Sequence, residues 1–168
     1  MPARNIYRII AGKQNHYQKD FLHDTRAGID FPQNGFTPQM TRREIQILLE
    51  MDEPHARAGQ VNSLVGQTDT FMNGLQVGDL LIMYHAASDR FIPGVIESDV
   101  RFDATKKPPL ERTVRWLPAD CWIPKRNLSF ELNGYVASQA VLMKLWPEHV
   151  KEIEQQLDIT AAVIPANG

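Results

Sequence analysis

The chain has 168 residues, 43% hydrophobic and 23% charged, with a formal net charge of −2. These values fit one globular domain with a genuine core, and they exclude a polycation that holds nucleic acid through bulk charge. The single cysteine, Cys121, excludes an internal disulfide and a Cys-rich zinc site, no apolar run is long enough to span a bilayer, and Met1-Pro2-Ala3-Arg4 leads into no signal-peptide stretch, so the expectation is a cytoplasmic protein without a membrane partner.

Residues 5–11 predict a first strand closed by Gly12. Residues 15–24 predict a short helix with Tyr17, Phe21 and Leu22 on one face, and 28–31 a brief strand. Residues 32–40, rich in Pro, Gln, Asn and Gly, read as a loop. Thr41-Arg42-Arg43-Glu44 fits a capping box, in which the Thr hydroxyl and the Glu carboxylate satisfy end N–H groups reciprocally. It opens a helix with Ile45, Leu48 and Leu49 at core spacing. A second helix over about 60–73 has an apolar stripe of Val61, Leu64, Val65, Phe71 and Met72 and stops at Gly74. Asn62, Ser63, Gln67 and Thr70 lie off that stripe and face solvent or a cleft.

Val77-Gly78-Asp79 supplies a turn. Residues 80–83 form a continuous apolar run, the mark of a strand with little water on either face, and Tyr84 and His85 end it with hydrogen-bonding tips. Residues 86–89 predict a hairpin turn and 91–97 its return strand. Pro93-Gly94 inside that strand predicts a bulge or an edge position, because proline cannot donate to a ladder. Residues 104–110 read as a loop, 112–117 as a strand that 121–124 extends or follows, 127–129 as a turn of helix, and 140–145 as a last strand. Pro147 opens a terminal helix with Val150, Ile153 and Leu157 on its inner face, and a tail or linker begins at Asp158. The organisation is one domain over 1–146 followed by a C-terminal helix and tail over 147–168.

The chemistry of a nuclease or nucleotide-driven motor is not readable. The chain has no Gly-rich phosphate loop and no nucleophile elbow, and none of its lysines has an acidic residue two positions before it. The five histidines have no i,i+4 pair for a helical metal site. No catalytic residue, metal or cofactor is expected. What stands out is charge beside aromatics. Lys106, Lys107, Arg112, Arg115, Lys125 and Arg126 lie close in sequence to Trp116 and Trp122, with only Glu111 and Asp120 as acids between 106 and 126. Such a region suits a phosphate backbone plus a flat base to stack on, or else Trp116 is core beside a solvated charged face. Lys13, Arg42 and Arg43 extend the candidate phosphate-binding set. Asn62, Ser63 and Gln67 offer both donor and acceptor edges to a base. Tyr84 and His85 line a cavity at the strand end or pack in the core.

The order of these motifs resembles the EVE domain of the PUA-like superfamily, to which the YTH and ASCH domains also belong. The resemblance rests on Val77-Gly78-Asp79 followed by the strand ending in Tyr84-His85. Over roughly residues 5–145 the chain is similar to EVE-like N-terminal modules of modification-dependent restriction systems of the Mrr and McrB sort. The matching pieces are Ala11-Gly12, Gly66-Gln67 with Phe71, Gly78-Asp79, Gly94-Val95-Ile96 and Val114-Arg115-Trp116-Leu117. An aromatic often found just before the Gly-Gln pair is absent, since Leu64-Val65 stands there. A cage wall then comes from Phe36, Tyr84 or Trp122.

The resemblance implies an α+β fold, a small twisted β-barrel of about five or six strands flanked by helices. It implies a non-catalytic reader of modified nucleobases in double-stranded DNA that works by base flipping and serves as the specificity module of a restriction or defence system. Its base pocket would draw on Asn62, Ser63, Gln67, Tyr84, His85, Trp116, Trp122 and Phe36, and a nuclease or NTPase domain or subunit would be its partner. Three alternatives stay open: an RNA-binding PUA-like module, a small-molecule site or enzyme using Tyr84, His85 and Asp69, and a protein-interaction domain.

Overall fold

The computed structural model describes residues 4–30, 37, 39–52 and 58–163. A curled, open sheet forms a half-barrel in its middle. Its strands are β1 (Ile6–Ile9), β2 (Arg26–Ile29), β3 (Leu80–His85), β4 (Arg90–Ile96), β5 (Arg101–Phe102), β6 (Leu110–Trp116), β7 (Ile123–Pro124) and β8 (Leu142–Lys144). The order across the sheet is β2-β6-β4-β3-β1-β8, with β5 on β6 and β7 on β4. The β1–β3 pair is parallel and the other pairs are antiparallel. Helices α1 (Gln18–Asp24), α2 (Arg42–Asp52), α3 (Ala58–Asp69), α4 (Phe130–Val136) and α5 (Pro147–Val163) complete the fold. Mixed architecture and a twisted sheet agree with the sequence. The eight strands among the described residues exceed the expected five or six: β5 is too short to leave a periodic signal, and β7, within the 121–124 stretch expected to extend or follow the preceding strand, is a separate strand paired with β4.

Alternation along the strands divides the core in two. Tyr7, Ile9, Leu81, Met83, Ile92 and Val114 face one side and pack with Phe21, Ile45, Val61, Val65 and Phe71 from the helices. Ile6, Leu80, Ile82 and Phe91 face the other and pack with Leu128, Leu132, Leu145 and Ile153. This explains the continuous apolar run of β3, which has helices over both faces. Among the described residues no helix is long and apolar enough to cross a membrane.

The capping box forms: Glu44 N–H donates to Thr41 Oγ1 at 3.2 Å and Thr41 N–H to Glu44 Oε1 at 3.4 Å. Other expectations need correction. The helix expected over 60–73 divides into α3 and a π-helical turn over Thr70–Gly74. That turn frees the carbonyls of Phe71 and Met72, which accept from Arg112 Nε and Nη2, each at 2.9 Å. Pro93 is neither at an edge nor in a bulge. It pairs with Ile82 in a central strand, where the other neighbour of β4 changes from β7 to β6. Its carbonyl accepts from Leu117 N–H at 2.8 Å on that side, so its missing N–H falls at the seam between the two neighbours. Gly94 is required by close approach, because a Cβ there would meet the Trp116 ring at 2.6 Å. The turn of helix expected to begin at 127–129 is a two-turn helix, α4, that starts after it; Ser129 caps it by accepting from Leu132 N–H at 3.1 Å. Helix α5 continues past Asp158 to Val163.

Glu111 and Arg112 are neighbours on β6 and point to opposite faces of the sheet. Glu111 is 0% exposed. It accepts from Arg26 Nη1 at 2.7 Å, Arg101 Nε at 3.0 Å and Lys106 Nζ at 3.2 Å. Burial pushes its carboxyl up, but the hydrogen bonds from Arg26 and Lys106 and the charges of Arg101 and Arg26 outweigh it and hold it below the usual range. Glu111→Gln leaves Arg26 buried without a counter-charge and lowers stability in urea unfolding at neutral pH by about 3–5 kcal/mol. A carboxyl held lower in the folded state stabilises the fold above its unfolded pKa of about 4.3, and that contribution fades as pH falls through the folded value. Unfolding titrations repeated at decreasing pH check this, with a flatter acid limb expected for the variant.

Candidate functional site

Because β1 and β3 run parallel, their C-terminal ends share one end of the sheet. The chain leaves β1 through Gly12 at φ +71, where a side chain would be strained and its Cβ would meet Tyr17 at 2.5 Å. A 3-10 turn over Lys13–Asn15 follows, and α1 starts at Gln18 rather than at the expected residue 15. Gln18 Nε2 donates to the Tyr84 carbonyl at 2.6 Å and ties α1 to the end of β3. Tyr17 donates its hydroxyl to Asp30 Oδ2 at 2.9 Å. Burial, with that bond and the Asp30 charge, pushes the Tyr17 phenol up to about 12.

Tyr84 and His85 are successive residues of one strand, so they project to opposite faces and line separate sites. The His85 ring lies 5.0 Å from the Trp122 indole, and His85 Nδ1 hydrogen-bonds the Ser88 hydroxyl at 2.7 Å. The Arg90 guanidinium sits 4.9 Å over the same indole, while Arg90 Nη1 donates to the Ala119 carbonyl at 3.1 Å. Trp122 Nε1 donates to the Leu117 carbonyl at 3.0 Å and fixes the indole plane. On the other face, the Tyr84 ring lies 5.3 Å from Phe91, with Lys125 Nζ 5.3 Å from its centroid. The Tyr84 hydroxyl donates to Asp89 Oδ1 at 2.5 Å. That bond, with burial and the Asp89 charge, raises its pKa.

Several expected site residues have structural duties instead. Trp116 Nε1 donates to the carbonyls of Phe21 and Arg26, each at 3.1 Å, and its ring packs on Gly94. It is partly buried and packs against the core, with its N–H and one side of its ring engaged by the fold. Arg112 is 2% exposed and its fork is taken by backbone carbonyls, so it is withdrawn from the phosphate set. Lys106 is held by Glu111. Gln67 Oε1 accepts from Val141 N–H at 2.8 Å and Leu142 N–H at 3.3 Å, fixing the start of β8, and its Nε2 donates to Ser63 Oγ at 3.0 Å. Asn62 is exposed on α3. Arg42 pairs loosely with Asp69 at 3.6 Å, and Arg115 with Glu97 at 3.8 Å. Lys13, Arg43, Lys107 and Arg126 are exposed. Phe36 lies outside the described residues.

The structure therefore brings together His85, Trp122 and Arg90, with Arg126 in the turn just beyond β7 and Lys13 in the turn beyond β1 at the same end of the sheet. Arg90 was not anticipated; its signal was its position as the first residue of β4, opposite His85 in register. Trp146 was missed as well. It is 58% exposed, beside a groove of about 630 Å³ with Arg4, Lys144 and Lys151, at the opposite end of β1. Among the described residues no group of three His, Cys, Asp or Glu side chains is placed to hold a metal ion.

The chain belongs to the family of the domain of unknown function DUF8426, whose pattern covers residues 7–141. No curated protein and no solved structure matches it. The matched span runs from Tyr7 within β1 to Val141, just short of β8, and holds the whole of the His85–Trp122–Arg90 cluster.

The unequal exposure of the tryptophans has a direct readout. In acrylamide quenching, Trp146→Phe removes most of the accessible emission, while the remaining fluorescence from Trp116 and Trp122 quenches weakly. Undiminished quenching in that variant would contradict the packing described for the other two indoles.

Proposed function

We propose that this chain is an EVE-like module of the PUA-like kind that reads a modified base flipped out of double-stranded DNA. On this reading it is a non-catalytic specificity module of a modification-dependent restriction or defence system, and cleavage belongs to another domain or partner. The observation that carries the reading is the His85–Trp122–Arg90 cluster at the open end of a half-barrel, with Arg126 and Lys13 at the same end. The motif order around Gly78-Asp79 and Tyr84-His85 supports it from the sequence side.

Magnitudes favour a base over the resting arrangement. An exposed guanidinium on an indole contributes about 0.5–1 kcal/mol. A base stacked on the same ring contributes about 1–3 kcal/mol. A base that takes the place of Arg90 on Trp122 therefore gains, and the released Arg90 turns to a phosphate. Extruding the nucleotide costs a few kcal/mol, least for a weakly paired base. Phosphate contacts at Arg90, Arg126 and Lys13 offset that cost, with the salt dependence of counterion release. His85 and Ser88 then offer polar groups to the base edge. Asn62, Ser63 and Gln67 lie on α3, and Gln67 is already bonded to the start of β8.

A binding panel tests this. Duplexes carrying 5-methylcytosine, 5-hydroxymethylcytosine, N6-methyladenine or no modification are titrated at fixed salt beside a matching RNA. One modified duplex is expected to bind best. Trp122→Ala should weaken it by about 5- to 150-fold, the equivalent of 1–3 kcal/mol, and abolish the preference. Arg126→Met should weaken every duplex alike and reduce the salt slope by about 1. Tighter binding to RNA than to any duplex, or an unchanged preference in Trp122→Ala, would contradict the assignment.

A further inference from the structure

The face of β3 opposite Trp122 carries a second cavity, of about 200 Å³, lined by Arg8, Asn15, Tyr84, Lys125, Asn133 and Ser138 among others. No carboxylate is among its lining residues. Arg8 is 2% exposed. Its Nη1 donates to the Ala140 carbonyl at 2.6 Å, and its Nη2 to the Ser138 carbonyl at 2.8 Å and to Met143 Sδ at 3.0 Å. All three acceptors are neutral.

The other buried arginines are treated differently. Arg26 is paired with Glu111. Arg112 lies in the field of Asp99 and Asp79. Arg8 has neither: among the described residues no carboxylate is within ion-pair distance of it, and the same holds for Lys125. Burial pushes Arg8 down to about 10, which still leaves it charged at neutral pH. A buried cation without a counter-charge is expensive to keep. Nε of Arg8 and Oδ1 of Asn133 are in addition buried without a hydrogen-bond partner. Asn15 Oδ1 takes the Ala11 N–H at 3.0 Å, and its amide N–H groups are left for a ligand. Asp89 is not among the lining residues, and its carboxylate is engaged by the Tyr84 hydroxyl.

We propose that this cavity binds a phosphate-class oxyanion, held by the Lys125 ammonium and the Asn15 amide above the buried Arg8 guanidinium. The volume is below the range of about 300–1,000 Å³ that houses larger ligands, so a single phosphate group fits better than a whole nucleoside. A phosphate also presents both acceptor and hydroxyl donor oxygens, which matches a site with cationic donors and an unpartnered Asn133 acceptor. A carboxylate lacks the donor. The site stands apart from the Trp122 cluster and does not depend on the base-reading proposal.

The test is a titration of the full chain with inorganic phosphate, with acetate and with deoxycytidine 5′-monophosphate as separate arms. Calorimetry gives the affinity, and the side-chain amide resonances of Asn15 and Asn133 report the location. Saturable phosphate binding that shifts both amides is expected, about tenfold or more weaker in Lys125→Met and unchanged in Lys19→Met. Equal affinity for phosphate and the monophosphate identifies free phosphate as a sufficient source; tighter monophosphate identifies a nucleotide end, and either supports the site. Folding of Lys125→Met is checked by its thermal transition, and Lys125→Arg should retain binding. No saturable binding to wild type, acetate as tight as phosphate, or undiminished affinity in folded Lys125→Met would overturn the proposal.

Discussion

The buried Glu111 carboxylate organises one edge of this fold. Three cations from three places in the chain, Arg26, Arg101 and Lys106, converge on it, and with them β2, β5 and the loop before β6 are fastened to one strand. One residue on, Arg112 points to the opposite face and holds the π-helical turn at the end of α3 by two backbone carbonyls. A buried carboxylate demands such compensation, since an unpaired charge in the interior is far costlier than a neutral polar group. The same demand draws cations out of the basic stretch over 106–126 and leaves Lys107, Lys125 and Arg126 without an ion-pair partner among the described residues. Lys106 and Arg112 serve the interior, and Arg115 faces Glu97.

That outcome marks where sequence reasoning reached and where it stopped. Local signals transferred well. The Thr41–Glu44 capping box and the hairpin into β4 are set by contacts within a few residues and formed where expected, and the apolar run of β3 already carried the mark of a strand covered on both faces. Signals that depend on distant partners did not transfer. Pro93 can sit in a central strand because two different neighbours meet beside it, a fact of topology rather than of local sequence. The π-helical turn exists where Arg112, some forty residues later, takes two carbonyls. Charge clustering along the chain likewise does not say which cations will meet an acid in space.

The candidate site followed the same pattern. His85 and Trp122 were identified and do meet, while Tyr84, inseparable from His85 on paper, faces away because strand alternation outranks adjacency. Trp116 and Gln67 carry side chains suited to recognition but are held by backbone groups of the fold. Arg90 emerged only with the register that sets it opposite His85. The end of β3 thus presents two chemically distinct faces, an indole covered by a guanidinium on one and a carboxylate-free cavity on the other.

The assignment of Trp122, rather than Trp116 or Trp146, as the platform for a base is the claim on which the functional reading turns. The three indole N–H groups give three separate cross-peaks in a nitrogen–proton correlation spectrum, and following them during titration with a preferred modified duplex separates the possibilities. The expected result is a large, saturable shift of the Trp122 peak with the Trp116 peak unmoved. A response confined to Trp146, or no indole response at saturating duplex, would contradict it.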